Sequence, residues 1–201
     1  RSNEYEFSDH LYRHKYLHEL YTKAKSDYTG RVTVPILWDK KTQTIVNNES
    51  SEIIRMLNSE FNEVTGNTLN FYPQHLSGEI DQINEKIYHT VNNGVYKCGF
   101  ATTQLAYEEA FTELFDTLDW IERRLEDQSF LVGNNVTEAD WRLFTTLVRF
   151  DCVYVGHFKT NKKRIVDYPN VWDYLKTLYQ VKGIEETVNM AQIKRHYYFS
   201  H

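Results

Sequence analysis

The side chains best suited to redox or metal chemistry in this chain are two cysteines and a group of histidines. Cys98 and Cys152 form neither a disulfide framework nor a paired metal-ligand spacing, so we expect a reducing environment and a cytoplasmic location. His10, His14 and His18 recur every four residues, on one face of a predicted helix. No carboxylate or cysteine is clearly placed with them, so we favour a packed or solvated helix face over a metal site.

A second candidate for chemistry is the acidic and hydroxyl pair Glu49-Ser50, which stands just before a predicted helix that carries Ile53, Ile54 and Leu57. Backbone N–H groups at the start of a helix bind carboxylates, and the Ser50 hydroxyl would add a donor. The Glu49 carboxylate could then hold an ammonium group of the same ligand. The alternative is that Ser50 only caps its helix.

Composition narrows the classes of protein to which the chain can belong. It has 201 residues, a formal net charge of −5, 41% apolar residues and 15% aromatic residues. This composition excludes a disordered chain, and the acidic charge disfavours nucleic acid or an anionic membrane as partner. Only 11 residues are Gly or Pro, which favours helices, and no uninterrupted apolar run could span a membrane.

The first part of the chain predicts a small mixed α/β region. The pattern indicates a helix over 8–24, a strand over 32–38, a second strand around 44–46 and a short helix from about residue 50. Because an isolated hairpin is marginally stable in water, we expect its partner strands upstream of Arg1. Residues 1–60 would be the second half of a thioredoxin-like domain, and residues 61–77 a linker.

The remaining residues, 78–201, predict an all-helical domain, so the fold class is α+β and mostly helical. Apolar residues at 80, 83, 87 and 91 and a longer series over 106–125 recur at helical spacing. Thr137 and Asp140 are spaced as a capping box, and Val136 and Trp141 as a hydrophobic staple. A further helix is predicted over 170–180, followed by an irregular aromatic stretch that ends at Phe199.

These pieces together resemble a glutathione transferase, and more narrowly a glutathionyl-hydroquinone reductase of the Xi class. The resemblance covers nearly the whole chain. It is carried by residues 30–39 (GRVTVPILWD), 48–50, 53–55, 92–97 (NNGVYK), 99–102, 147–151, 153–155, 157–158 and 196–197.

One feature of that family is missing from these residues. The family places a nucleophilic cysteine in a Cys-Pro-Trp-Ala motif in its first β-α unit, and this chain has no such motif. Cys98 and Cys152 lie in the helical half, where the family does not place its nucleophile. The sequence is either trimmed or has lost the chemistry, and the unpaired hairpin favours trimming.

The resemblance implies roles for six site residues. It implies that Pro35 is cis and that the backbone of Val34 bonds the cysteinyl part of glutathione, while Glu49 and Ser50 hold the γ-glutamyl group. It also implies that Tyr96, Tyr154 and Tyr197 line a pocket for the quinol; their spacing alone would not group them.

The expected function is therefore the reduction of glutathionyl-hydroquinones through a mixed disulfide between an upstream cysteine and glutathione. Glutathione is the co-substrate, no metal is needed, and the resemblance implies a cytoplasmic homodimer. One alternative is a non-catalytic binding or assembly module with the same fold, which the missing motif favours. Another is an ordinary transferase that uses Ser or Tyr in place of the cysteine.

Overall fold

The computed structural model describes residues 9–200, which divide into two units between Leu69 and Asn70. The first unit contains helix α1 (Leu17–Ala24), strands β1 (Leu37–Asp39) and β2 (Thr44–Asn47), and helices α2 (Ser50–Ser59) and α3 (Asn62–Thr65). The second contains α4 (Ser77–Ile87), α5 (Gly94–Phe100), α6 (Gln104–Arg124), α7 (Glu138–Arg149), α8 (Val155–His157), α9 (Pro169–Tyr179) and α10 (Met190–Ser200). The mostly helical α+β class predicted from the sequence is confirmed.

The first helix is shorter than predicted. It begins at Leu17 rather than at residue 8, which itself lies outside the described residues. The reason lies in Asp9, whose carboxylate accepts hydrogen bonds from the backbone N–H groups of Leu11, Tyr12 and His14. These bonds hold a turn in which Arg13 has a positive φ of 61°, so the predicted helix is wrong over residues 9–16.

The histidine series is consequently not one helix face. His10 and His14 precede α1, and only His18 lies in it. The Nδ1 atom of His14 lies 3.4 Å from the Glu19 carboxylate. Within residues 9–200 no group of three His, Cys, Asp or Glu side chains is arranged to hold a metal ion.

The hairpin forms, but its first strand is shorter than the sequence predicted. In the described residues β1 and β2 pair as a two-stranded antiparallel sheet, with Trp38 opposite Ile45. Residues 32–36 lie outside the strand. Pro35 has no N–H to donate, and both backbone groups of Thr33 are bonded to the Tyr21 hydroxyl instead of to a neighbouring strand.

The second unit is built around one large apolar core. The predicted helical repeats are confirmed, because most of their residues are almost completely buried, although Ala106 at the start of the second series is exposed. The buried ones include Ile80, Ile83, Ile87, Val91, Leu114, Leu118 and Ile121. Within residues 9–200 no helix combines the length and apolarity needed to cross a membrane.

The predicted capping box at the start of α7 is also confirmed, and it is more extensive than the sequence indicated. The Asp140 carboxylate accepts hydrogen bonds from the Thr137 N–H at 2.7 Å and from its hydroxyl at 2.9 Å. It also accepts one from the Leu131 N–H at 2.9 Å and one from the Tyr174 hydroxyl at 2.8 Å. Asp140 is completely buried. Its hydrogen bonds join the start of α7 to α9 and to the loop that precedes α7.

Two short π-helical segments interrupt the helical unit, at Tyr88–Asn92 and Phe150–Tyr154. The predicted irregular C-terminal stretch is wrong, because these residues form α10. The Asn189 side chain accepts a hydrogen bond from the Gln192 N–H and so caps the start of this helix. Of its aromatic side chains, that of Tyr197 is buried, whereas Tyr198 and Phe199 are exposed.

Candidate functional site

The helical unit brings together three tyrosine hydroxyls that are widely separated in sequence. The hydroxyl of Tyr197, on α10, lies 2.6 Å from that of Tyr96, on α5. It also lies 2.9 Å from the hydroxyl of Tyr154, at the end of the second π-helical segment. We call Tyr96, Tyr154 and Tyr197 the tyrosine cluster.

The two π-helical segments help to set the direction of the side chains of Tyr96 and Tyr154. One segment immediately precedes Asn93 and helix α5, which carries Tyr96, and the other ends at Tyr154. A π-helical turn contains one residue more than an α-helical turn would provide, so it rotates the side chains beyond it around the helix axis. Such segments are frequent at functional sites.

Tyr198 connects α10 to the segment that bears Tyr154. Its hydroxyl lies 3.4 Å from the carbonyl oxygen of Cys152 and 3.5 Å from that of Val153, both within the π-helical segment. These contacts hold α10 beside that segment, and Tyr197 immediately precedes Tyr198 on the same helix.

Phe158 forms the apolar side of the tyrosine cluster. Its ring is stacked on that of Tyr154, with centroids 5.3 Å apart and planes inclined by only 8°. Its centroid also lies 5.2 Å from that of Tyr96 and 5.9 Å from that of Tyr197. The three hydroxyls are therefore held at one edge of a packed aromatic group.

The two buried hydroxyls of the cluster, those of Tyr154 and Tyr197, keep their protons. Burial, together with the hydrogen bond to Tyr197, raises the pKa of Tyr154 far above its ordinary value. Burial also raises the pKa of Tyr197 to about 12. Tyr154 and Tyr197 are almost completely buried, whereas Tyr96 is 36% exposed and opens the cluster to solvent. Such an arrangement can donate hydrogen bonds to the oxygens of a bound molecule.

In the first unit, Glu49 rather than Ser50 caps α2. One carboxylate oxygen of Glu49, Oε1, accepts hydrogen bonds from the N–H and the hydroxyl of Ser51 at 3.3 and 3.2 Å. The other oxygen, Oε2, has no hydrogen-bond partner among residues 9–200. Ser50 is exposed at the first position of the helix, where backbone N–H groups point away from the helix towards a potential anion.

Val34 lies on the same unit, before a cis peptide bond to Pro35. Its side chain is 75% exposed. The conformation that the resemblance implied for this bond is therefore present.

Tyr21, on α1, is a further polar contact of this unit that the sequence pattern did not single out. The Tyr21 hydroxyl donates to the Thr33 carbonyl at 2.8 Å and accepts from the Thr33 N–H and from the Asn48 amide. Burial alone would raise its pKa, but these hydrogen bonds leave the pKa of Tyr21 below its ordinary value. Tyr21 thus joins the residue before Val34 to the residue before Glu49. A lone tyrosine in a helical repeat carries no signal of this role.

Neither cysteine in the chain has the properties of a nucleophile. Both are free, and burial raises the pKa of Cys98 to about 11. Burial also raises the pKa of Cys152. Since the thiolate is the reactive form, both thiols are protonated and unreactive near neutral pH.

Comparison with known protein families gives matches in both parts of the chain. Residues 5–60 match the family described as glutathione S-transferase, N-terminal domain. Residues 104–177 match glutathione S-transferase, C-terminal domain. The two matches are consistent with the thioredoxin-like and all-helical parts predicted from the sequence.

Two curated relatives and two solved structures are similar over most of the chain. Glutathionyl-hydroquinone reductase PcpF of Sphingobium chlorophenolicum is 56% identical over 92% of the chain, and glutathionyl-hydroquinone reductase YqjG of Escherichia coli is 53% identical over 96%. The chain spans 59% of the length of each of these relatives.

Glutathione-bound YqjG superimposes with a TM-score of 0.97 at 52% identity, over all of this chain and 65% of that one. Glutathione transferase Xi 1 from Trametes versicolor gives 0.94 at 53% identity, over 96% of this chain and 68% of that one.

Proposed function

Because this chain belongs to the glutathione transferase family, and within it to the Xi class, we propose that it is part of an enzyme that reduces glutathionyl-hydroquinones. The observation that carries the proposal is the tyrosine cluster. It provides neutral hydroxyl donors, partly open to solvent, beside an aromatic surface. Such a surface suits a flat ring that bears oxygen substituents.

The proposed reaction has two steps, each of which begins with attack by a thiolate, and it requires a cysteine that precedes residue 1. The thiolate of that cysteine attacks the sulfur of the glutathionyl-hydroquinone. The bond between that sulfur and the ring carbon breaks, the carbon takes a proton, and free hydroquinone leaves. The ring is thereby reduced, and the two sulfurs are oxidised to a mixed disulfide. A second glutathione thiolate attacks this disulfide, which releases oxidised glutathione and regenerates the enzyme thiolate.

The tyrosine cluster acts on the ring in the first step, in which the bond between sulfur and the ring carbon breaks. Hydrogen bonds from its hydroxyls to the ring oxygens favour the keto form, in which the carbon bonded to sulfur is tetrahedral. Because Tyr154 and Tyr197 hold their protons, they can donate these bonds throughout the reaction.

The first unit supplies the glutathione contacts. The γ-glutamyl carboxylate is bound by the Ser50 N–H and hydroxyl, and its ammonium group by the Glu49 carboxylate. The backbone of Val34 bonds the cysteinyl part, as an added strand bonds a sheet edge. The position of Ser50 at the start of α2 and the exposure of Glu49 and Val34 support this assignment. We further propose that the enzyme is a cytoplasmic homodimer, as the class membership suggests.

A non-catalytic module is the second candidate. The raised pKa values of Cys98 and Cys152 favour it, because neither residue can replace the missing nucleophile. It predicts that the full-length protein binds glutathione but does not reduce glutathionyl-hydroquinones.

The test of the proposed enzyme is the triple substitution of Tyr96, Tyr154 and Tyr197 by Phe in the full-length protein. Each change removes one hydroxyl and keeps the ring. At ~0.5–1.5 kcal/mol for each neutral hydrogen bond, the triple variant should turn over glutathionyl-hydroquinones roughly ten- to thousandfold more slowly. Glutathione affinity by calorimetry and the melting temperature should be nearly unchanged.

Two controls make this result specific. Tyr72→Phe removes a hydroxyl that bonds Asp81 elsewhere on the same unit, and it should leave turnover unchanged. A small glutathione disulfide requires the nucleophilic cysteine but no quinol pocket, so the triple variant should still reduce it. Equal loss of both activities would exclude the tyrosine cluster as the quinol site.

A further inference from the structure

Gly99, on helix α5, lies directly against the ring of Phe158. A methyl group added at Gly99 would stand 2.3 Å from Cδ1 and 2.5 Å from Cγ of that ring. Both distances are far below van der Waals contact. Only glycine therefore permits Phe158 to occupy its present position.

We propose that the Gly99–Phe158 contact is the positioning element that holds the hydroxyls of Tyr96, Tyr154 and Tyr197 together. The contact lets the Phe158 ring fill the space between the helix that carries Tyr96 and the segment that carries Tyr154. Gly99 and Phe158 act through the tyrosines and need not touch the substrate.

Phe158 has little freedom to move away from an added methyl group. Its side chain is 1% exposed, and its ring is stacked on that of Tyr154. Its N–H also donates to the Tyr154 carbonyl at 3.1 Å. A displaced Phe158 therefore displaces Tyr154, because close-packed interiors transmit such shifts.

The loop beyond Phe158 is fixed as well. The next residue, Lys159, has a positive φ of 61°, and its carbonyl accepts a hydrogen bond from the Tyr107 hydroxyl at 2.6 Å. The N–H of Thr160 donates to the Tyr154 carbonyl at 3.2 Å. The backbone on both sides of the ring is thus bonded, so the shift cannot be absorbed by this loop alone.

Helix α5 also provides a matched control. An added methyl group at Gly94 would lie 3.7–3.8 Å from the Leu114 side chain, which is ordinary van der Waals contact. Gly94→Ala and Gly99→Ala are therefore the same chemical change on the same helix. Only the second disturbs the ring that supports the tyrosine cluster.

The experiment compares Gly99→Ala, Gly94→Ala and the unsubstituted full-length protein after labelling the tyrosine Cζ carbons with ¹³C. The three cluster resonances are assigned with single Tyr→Phe variants. Gly99→Ala should move the Tyr154 and Tyr197 resonances, and Gly94→Ala should not. Turnover of glutathionyl-hydroquinones should fall on the order of ten- to hundredfold in kcat for Gly99→Ala, while the KM for glutathione stays the same.

A double-mutant cycle with Phe158→Leu separates positioning from general loss of packing. If both residues act through one contact, the double variant loses no more turnover than the worse single variant. Additive losses, or unchanged tyrosine resonances in Gly99→Ala, would overturn the inference. Should Gly99→Ala not fold, Phe158→Leu alone must move the same resonances, and failure to do so overturns it. The spectroscopic result holds whether or not the protein proves to be a reductase, so the two proposals can fail separately.

Discussion

Each unit of the molecule contains one buried polar side chain that accounts for four hydrogen bonds, but the two side chains differ in charge and surroundings. In the helical unit this residue is Asp140, which accepts bonds from Leu131, Tyr174 and, twice, Thr137. All of them are directed at one carboxylate within the large apolar core.

In the first unit the corresponding residue is Tyr21. Its hydroxyl bonds three atoms of Thr33, at 2.8, 3.2 and 3.3 Å, and the Asn48 amide at 3.1 Å. The partners lie in loops, and Ile53 is the other almost completely buried apolar residue among the described residues of this unit.

The difference shows how each unit holds the candidate site residues that it carries. The tyrosine cluster sits on closely packed helical elements around the large apolar core, within which the Asp140 carboxylate joins α7, α9 and the loop before α7. The proposed glutathione contacts belong to loops and a helix start, and they depend on one neutral phenol. Bonds to a carboxylate are roughly twice as strong as neutral ones, so removing the two side chains should have unequal effects.

The largest effect is expected for Asp140→Ala. It leaves buried donors of Leu131, Thr137 and Tyr174 without an acceptor, so the free energy of unfolding should fall by about 3–5 kcal/mol. Urea unfolding of the full-length protein measures this loss. Asp167→Ala serves as the control, because Asp167 closes a similar capping box with Arg164 on the surface. Normal unfolding of Asp140→Ala together with lost turnover would instead give Asp140 a direct role in the reaction.

A smaller effect, confined to the first unit, is expected for Tyr21→Phe. The ring remains and neutral bonds are lost, so the expected cost is about 1–2 kcal/mol. Hydrogen exchange followed by mass spectrometry should show reduced protection over residues 30–50 and unchanged protection over residues 131–145. Tyr28→Phe, which removes one exposed bond to the Arg31 carbonyl, is the matched control. Equal loss of protection in both units would show that Tyr21 does not act locally.

The same contrast explains which parts of the fold the sequence could predict. Helices α4, α6, α7 and α9 carry regular apolar repeats because they line one core, and each was predicted. The predicted elements are wrong where side chains bond the backbone. The Asp9 carboxylate bonds the backbone of residues 11–14, so the first helix is shorter than predicted. The Tyr21 hydroxyl bonds the backbone groups of Thr33, which a neighbouring strand would otherwise bond. Helix α10 was missed because Tyr197 alone among its aromatic side chains is buried.

The site could be predicted only through family resemblance. Tyr96 and Tyr197 are 101 residues apart, and no local pattern indicates that their hydroxyls meet. The contact depends on tertiary packing, which includes two π-helical segments and the space beside Gly99. By contrast, Glu49 and Ser50 are adjacent to a predicted helix start, so the potential of Ser50 to bind a carboxylate and of Glu49 to bind an ammonium group was visible in the sequence.

The smallest effect is expected for substitution of Glu49. This substitution tests whether the negative charge of Glu49 contributes to the affinity for glutathione. Glu49→Gln retains an oxygen that can accept from the Ser51 N–H, so α2 stays capped, while the charge opposite the proposed ammonium group is lost. Because Glu49 is exposed, the dissociation constant for glutathione should rise only about three- to tenfold. The increase should shrink in high salt, since an exposed ion pair is screened.

Calorimetric titration of the full-length protein measures this change, with Glu52→Gln on the same helix as the control. Glu52 is bonded to the Asn47 amide and has no part in the proposed glutathione contacts, so its substitution should leave the affinity unchanged. Glu49→Ala should weaken binding further than Glu49→Gln, because it removes the helix cap as well as the charge. If Glu49→Gln binds glutathione normally and Glu49→Ala does not, the carboxylate acts only as a cap, and the ammonium group is held by another residue.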